Sequence, residues 1–300
     1  GFENQSYDES HIVKNIEGNF NKNIFKINEK EITEKFINIS NSISEPNGDS
    51  SFLPTYILFD KIKNYSNVSL GGDGGDESFL GYITFDAFVL AKILKTFLPK
   101  GLLKFLKKNI SLKDYSNNYL TTKKKLKKFF SCIDVDQKYL LPSWMSCLNF
   151  DEHCENFKEN LSIDQFFFTK DIFSNNINIM RSAQLYYFKY YLPMVLSKVD
   201  QASMLNSVES RSPFISKKII NFSLDNKISE LYSMFNKKKF LKKKYKTLIS
   251  NKILKSPKHG FAFPTHIILK NQNLINSLIK PELIMNYDFF KKKYSAYLKH

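Results

Sequence analysis

The segment Val68-Ser69-Leu70-Gly71-Gly72-Asp73-Gly74-Gly75-Asp76-Glu77 runs an apolar, strand-like start into glycines interleaved with carboxylates. Glycines let the backbone approach a ligand closely. A bare glycine-rich loop would cradle phosphate with its own N–H groups. Asp73, Asp76 and Glu77 would repel naked phosphate. Carboxylates beside a nucleotide make sense where they hold Mg²⁺, a hard ion that takes oxygen ligands and bridges to phosphates. The same spacing also fits a tight turn with Asp76 as a helix cap. Spacing alone leaves both readings open.

Three further segments carry polar groups at suggestive positions. Lys255-Ser256-Pro257-Lys258-His259-Gly260-Phe261 puts a lysine after proline on a glycine-bounded loop. From there Lys258 can reach a phosphate as a point charge, or stay solvated. In Ser44-Glu45-Pro46-Asn47-Gly48-Asp49-Ser50-Ser51, the last three residues sit where a helix N-cap belongs. A polar pocket at a helix N-terminus also suits an anion such as a carboxylate. Finally, Tyr191-Leu192-Pro193 leads into Lys198-Val199-Asp200-Gln201-Ala202-Ser203-Met204 and Glu209-Ser210-Arg211-Ser212-Pro213-Phe214. Periodicity reads this stretch as a structural helix and turn. Asp200 and Met204 share one face, and Glu209 and Arg211 form a charge pair near the end.

The elements that position these groups change character along the chain. Residues 23–28 (NIFKIN) read as a short strand, 29–43 as a helix, and 52–64 as an amphipathic helix with Pro54 in its first turn. Val68–Leu70 reads as a short buried strand and 76–96 as a helix. Strands alternating with helices argue for a parallel sheet, whose C-terminal strand ends are where α/β proteins bind ligands. Pro99-Lys100-Gly101 marks a break. Beyond it strand signals fade into helices and polar loops near 111–120 and 158–164. Residues 179–192 read as aromatic and buried, and 237–254 as a helix. The expected architecture is α/β in one domain spanning 1–300, with an α/β part to about residue 97 and a helical part from about 98.

Composition narrows the function. The chain of 300 residues carries a net charge of +16, yet its 45 basic residues include just two arginines, Arg181 and Arg211. Readers of nucleic acid lean on arginine for bidentate contacts. The lysine clusters at 123–128 and 237–246, interleaved with Leu, Phe and Tyr, read instead as solvated helix faces. No apolar run reaches the roughly 18 residues of a membrane helix, and the opening residues do not read as a signal peptide. The expectation is therefore no nucleic acid, no membrane and a cytoplasmic location. Cys132, Cys147 and Cys154 form no disulfide framework and fit a reducing compartment. With His153 they match no zinc spacing.

Taken in order, these segments resemble the synthetase domain of the glutamine-hydrolysing asparagine synthetase family, a branch of the N-type ATP pyrophosphatases. That family reads G-F and D-E near its start, as do Gly1-Phe2 and Asp8-Glu9. It continues with D-E-P-x-x-D-S-S, L-S-G-D-G-G-D-E-x-F-G-G-Y, Y-L-P, L-x-K-V-D-R-x-S-M, E-x-R-x-P-F and R-P-K-x-G-F, and a version of each is present to about residue 264. The resemblance implies a parallel sheet of the adenine-nucleotide alpha-hydrolase type, truncated at its first strand, with a large helical C-terminal half. It also implies a ligase. The aspartate side-chain carboxylate is adenylated with MgATP, pyrophosphate leaves, and ammonia from glutamine gives asparagine and AMP. The partners implied are aspartate or a related acid, ATP, ammonia, a glutaminase domain of the same parent chain, and a second copy in a homodimer.

By matching position, the resemblance makes Asp76 the Mg²⁺–pyrophosphate ligand. Asp73 becomes the acceptor of a proton from the attacking ammonia, and Lys258 the cation on the phosphates, with Gly72 and Gly74 completing the phosphate loop. Asp49, Ser50 and Ser51 would lie near the acyl substrate. Asp200, Glu209 and Arg211 would support the site, with Arg211 as a paired, buried guanidinium. The chain departs from the pattern at Gly71 (serine in L-S-G), Leu80 (the first glycine of G-G-Y), Gln201, Ser256, Ser44 and Ile215-Ser216. Relatives that amidate sugar acids in surface-polysaccharide synthesis, or a degenerate domain kept for assembly, are the alternatives. The family's S-G-G-x-D-S loop would precede Gly1, so the chain by itself is expected not to adenylate.

Overall fold

The computed structural model describes residues 1–2, 7–8, 10–14, 16, 21–43, 47–109, 121–146, 150–157, 162–167, 169, 171–173, 177–255, 265 and 267–268. Its first elements are α1 (Ser10–Lys14), α2 (Glu29–Ser42) and α3 (Phe52–Ile62). The strand expected over 23–28 shrinks to a single parallel bridge between Phe2 and Ile27. α2 starts where the Asn28 side chain accepts a hydrogen bond from Glu31 N at 2.8 Å, satisfying one of the helix's orphan donors. Ile32, Phe36, Ile39 and Ile43 then form one apolar stripe. That stripe joins Phe52, Leu53, Ile57 and Phe59 of α3 in a core with Ala202 and Val208. Pro54 falls in the first turn of α3, where its missing N–H costs nothing.

The sheet, among the described residues, is a parallel pair of β1 (Val68–Leu70) and β2 (Glu209–Arg211). Val68 lies opposite Glu209, Ser69 opposite Ser210 and Leu70 opposite Arg211. The strand at 68–70 forms where expected but is not buried: Val68 is 42% and Leu70 75% exposed. Among the described residues these two side chains stay open to solvent. β2 corrects the reading of 208–214 as a helix end and turn. Its Glu-Ser-Arg sequence has little strand propensity, so pairing with β1, remote in sequence, decides its conformation. The sheet is thus completed by a strand from beyond residue 97.

The helix expected over 76–96 splits into α4 (Gly75–Ser78) and α5 (Ile83–Phe97). The break falls at Leu80, whose φ is +49°. This left-handed conformation costs a residue with a Cβ about 1–2 kcal/mol. Leu80 is fully buried, and burial of a leucine side chain is worth about 1.5–3 kcal/mol. Packing therefore offsets the strain.

The rest is helical. α6 (Lys100–Asn109), α7 (Thr122–Ser131), α8 (Gln137–Met145), α9 (Phe150–Phe157) and α10 (Ile163–Phe167) follow the break at Pro99. Phe85, Phe88 and Ala91 of α5 share a core with Leu140, Leu141 and Trp144 of α8. α11 (Ile179–Tyr186) passes through a π-helical turn at Tyr187–Tyr191 into α12 (Leu192–Met204). Pro193 sits at the start of α12; its ring would clash with the Lys189 carbonyl in a regular helix, and the wider turn relieves that contact. Met180, Ala183, Tyr186, Tyr187 and Leu192 are buried, as the sequence suggests. α13 (Lys217–Asp225) and α14 (Ile228–Leu231) lead to α15 (Lys239–Lys244) and α16 (Asn251–Lys255). The single helix expected over 237–254 is thus two helices separated by turns. The chain is mostly helical with a small parallel sheet. No helix of the described residues is long and apolar enough to cross a membrane.

Candidate active site

The glycine loop leaves the C-terminal end of β1, and β2 holds it from the side. Gly71 N donates to Arg211 O at 2.8 Å, extending the ladder by one residue. Gly74 adopts φ +84°, and a Cβ there would lie 2.5 Å from Ile215 Cγ2, so both conformation and space require glycine. Phe214 packs edge-on against Phe79, with centroids 6.1 Å apart. The segment 209–215 therefore holds the loop through its backbone, a serine and two apolar side chains.

Two of the loop's carboxylates meet different neighbours. Asp73 accepts a hydrogen bond from Ser212 Oγ at 3.4 Å. Asp76 lies across Gly81, where a Cβ would come within 1.8 Å of Asp76 Oδ1. Gly81 N in turn donates to Asp76 O at 2.8 Å. Lys238 Nζ is 3.0 Å from Asp76 Oδ1. Glu77, by contrast, points into the protein and is 1% exposed. It accepts a hydrogen bond from Tyr82 OH at 2.7 Å. Burial, and then the Glu77 charge, push the Tyr82 hydroxyl far above its ordinary range. Tyr82 stacks on Tyr187 at 4.6 Å and meets Tyr191 edge-on at 5.4 Å. Gln184 Nε2 donates to the carbonyls of Glu77 and Ser78 at 3.1 and 3.0 Å, closing the end of α4. The tyrosine segment thus braces the glycine segment.

Lys238 is the residue the sequence reading missed most plainly. It belongs to a cluster read as a solvated helix face. That reading suits 123–128, where Lys123, Lys125, Lys127 and Lys128 are exposed, but not 237–238. Lys237 Nζ lies 2.7 Å from Asp86 Oδ2. Tyr232 OH and Phe235 N donate to Asp86 Oδ1 at 2.7 and 3.2 Å. This buried carboxylate anchors the 232–237 turn, and the next residue lands on Asp76. Asp86 is the one acidic residue on the buried stripe of α5, a signal that sequence alone offers.

The 47–51 segment meets α12. Asp49 Oδ1 accepts from Ser51 N and Ser51 Oγ at 2.8 and 2.7 Å. Lys198 is 9% exposed. It donates to Ser51 Oγ at 2.9 Å and lies 3.3 Å from Asp49 Oδ2. One turn on, Gln201 Oε1 accepts from Asn47 Nδ2 at 3.2 Å. Ser51 is the N-cap of α3 by position, but its side chain makes no capping bond; Asp49 orders the turn instead.

The support residues divide. Asp200 and Met204 share an exposed face of α12. Glu209 and Arg211 pair at 2.9 Å, but their side chains are 56% and 63% exposed, which corrects the expectation of a buried guanidinium. Alternate side chains of a strand point to opposite faces, so 209 and 211 share one face, open to solvent. The hydrogen bond from Arg211 holds Glu209 below its ordinary carboxylate range. Arg211 supports the loop through its backbone carbonyl. Lys258, with Ser256 and Gly260, lies outside the described residues, as do Ser44, Glu9 and Cys147. Among the described residues no cluster of three or more His, Cys, Asp or Glu is set to hold a metal. Asp76, with oxygen donors beside a glycine loop, fits Mg²⁺ of the kind bound through one or two carboxylates together with substrate phosphates.

Comparison with known proteins gives one family. The model described as asparagine synthase matches residues 1–297. A protein of Bacillus subtilis (strain 168) named "Asparagine synthetase [glutamine-hydrolyzing] 1" is 25% identical over 284 residues, covering 91% of this chain and 43% of its own. A protein of Methanocaldococcus jannaschii named "Putative asparagine synthetase [glutamine-hydrolyzing] 2" is 36% identical over 86 residues, covering 28% of this chain and 16% of its own. The chain therefore spans less than half the length of these relatives. No solved structure matches it.

Proposed function

Since the chain belongs to the asparagine synthase family, we propose that it is the synthetase portion of an ATP-dependent, amide-forming ligase acting on the side-chain carboxylate of aspartate. The observation that carries this reading is the pair of loop carboxylates, Asp73 and Asp76, at the C-terminal end of a parallel strand, with Lys238 3.0 Å from Asp76. Such strand ends are where open α/β sheets bind nucleotides, in keeping with a sheet of the adenine-nucleotide alpha-hydrolase type.

A carboxylate is inert to ammonia. When its oxygen attacks the α-phosphorus of ATP, pyrophosphate leaves and the acyl carbon becomes an electrophile with AMP as leaving group. Ammonia, derived from glutamine, then forms the C–N bond, loses a proton and expels AMP. Asp73 would take that proton. Lys238 and Lys258 supply positive charge for the departing pyrophosphate. Mg²⁺, when bound with ATP, adds to that charge. Asp49, Ser50 and Ser51, braced by Lys198, would orient the acyl substrate. Asp200, Glu209 and Arg211 act indirectly, the last two by holding the loop through β2.

The test is release of AMP and pyrophosphate by the full-length protein, with MgATP and ammonia, with and without aspartate. Aspartate-dependent release with asparagine formed supports the reading. Release with a different carboxylate alone overturns aspartate as the substrate, and no release from a folded protein with any acid overturns the ligase.

A further inference from the structure

Gly71 stands where the family carries a serine, and the space above it is not empty. A Cβ built at Gly71 would lie 2.9 Å from Asp73 Oδ2, 3.4 Å from Ser212 Oγ and 3.8 Å from Ser210 Oγ. Two hydroxyls of the neighbouring strand segment and the Asp73 carboxylate thus converge on the position that a serine side chain at 71 would fill. We propose that Ser212 supplies, across the parallel pair, the hydroxyl that the loop lacks at 71, and that it is the positioning residue for Asp73. This rests on the reading of Asp73 as proton acceptor.

The placement of Ser212 is fixed by backbone. Leu70 lies opposite Arg211, and Gly71 N donates to Arg211 O at 2.8 Å, so the next residue on the β2 side faces the loop. Ile215 N donates to Ser212 O at 3.1 Å, and Pro213 follows with a constrained φ. Ser212 is half-buried and its hydroxyl points to Asp73 Oδ2 at 3.4 Å. That is long for an O–H···O bond, as catalytic contacts often are before substrate binds, and such contacts tighten in the complex. A donor on Oδ2 holds that oxygen and leaves Oδ1 to take the proton. A side chain at 71 would meet Asp73 Oδ2 at 2.9 Å and Ser212 Oγ at 3.4 Å, so a serine hydroxyl there would compete with Ser212 for the same carboxylate oxygen and could replace it once Ser212 is gone.

The experiment uses the full-length protein and four variants: Ser212→Ala, Ser212→Thr, Gly71→Ser, and the double change Gly71→Ser with Ser212→Ala. In Ser212→Ala, kcat for amide formation falls about tenfold with little change in the acyl-substrate KM. Ser212→Thr retains the hydroxyl and most of the rate. Gly71→Ser alone does not raise the rate, but added to Ser212→Ala it restores activity. Ser212→Ala with unchanged kcat, or a double variant no better than Ser212→Ala, overturns the proposal. Should the unaltered protein release no pyrophosphate with any acid, the functional reading fails on its own. Crystal structures of the unaltered protein and Ser212→Ala then test the contact alone: an Asp73 carboxylate turned from its place in the variant supports it, and an unmoved carboxylate overturns it.

Discussion

Lys238 Nζ lies 3.0 Å from Asp76 Oδ1, directly over Gly81, where a Cβ would meet both the Asp76 carboxylate and Lys238 Cε within 2.4 Å. The lysine thus shares the carboxylate expected to take Mg²⁺. Removing it takes away a competitor of the metal and a counter-charge of the phosphates together. Lys238→Met is expected to raise the KM for ATP about tenfold, the scale of one charge-assisted contact. It should also lower the free Mg²⁺ needed for half-maximal rate. Steady-state kinetics over a Mg²⁺ series reads both, and movement of neither would remove Lys238 from the phosphate site. At 34% side-chain exposure, its effect on stability should be small.

Leu80 offers a test in which the usual order of two substitutions reverses. Truncating a buried leucine to alanine costs about 2–5 kcal/mol, and alanine keeps the left-handed strain. Glycine loses the same side chain but relieves about 1–2 kcal/mol of that strain. Both variants should be less stable than the parent, and Leu80→Gly should be the more stable of the two by urea denaturation. Alanine proving the better substitute would mean that the positive φ at 80 carries no cost.

What the sequence made legible follows from how local each feature is. α2, α3 and the stop at Pro99 rest on caps, apolar periodicity and proline, all readable within one turn. The glycine segment and its carboxylates were likewise visible from spacing. β2 was not, because Glu-Ser-Arg becomes a strand through pairing with a segment about 140 residues away. The split between α4 and α5 was hidden because leucine at φ +49° breaks the rule that such positions call for glycine. Lys198, Ser212 and Lys238 were missed for one shared reason. Each acts on a carboxylate remote in sequence, and a lysine or serine gives no local sign of which carboxylate it will meet.

The buried Lys198 and the partly buried Asp49 form a pair whose halves should not be equivalent. Asp49 keeps two hydrogen bonds from Ser51 without the lysine, whereas Lys198 without Asp49 retains Ser51 Oγ and a buried ammonium. An uncompensated buried charge costs about 3–5 kcal/mol. Asp49→Asn should therefore destabilise more than Lys198→Met, and the double variant should recover part of the loss. Thermal denaturation of the three proteins gives the coupling. Equal and additive losses would show that the two groups do not interact.

Asp8 ties the start of α1 to residue 26, and its pH signature can be worked out in sign. Burial acts to raise its carboxyl, but hydrogen bonds from Lys26 and from Ser10 outweigh burial and hold the pKa at about 2, against an ordinary 3.8. Lys26 Nζ lies 2.5 Å from Asp8 Oδ2, and Ser10 donates through its N and its Oγ at 3.0 and 2.9 Å. Because the folded pKa is the lower one, the unfolded chain binds more protons between these values, and stability rises with pH across that window. The contribution builds as pH rises through 3.8 and is lost as pH falls towards about 2. Asp8→Asn keeps the shape of the side chain and removes the titration. The stability gap between parent and variant should be widest above about pH 5, where Asp8 is ionised in both states, and should close on acidification. A gap that stays constant with pH would assign the stability to packing and deny the Lys26 contact any electrostatic part.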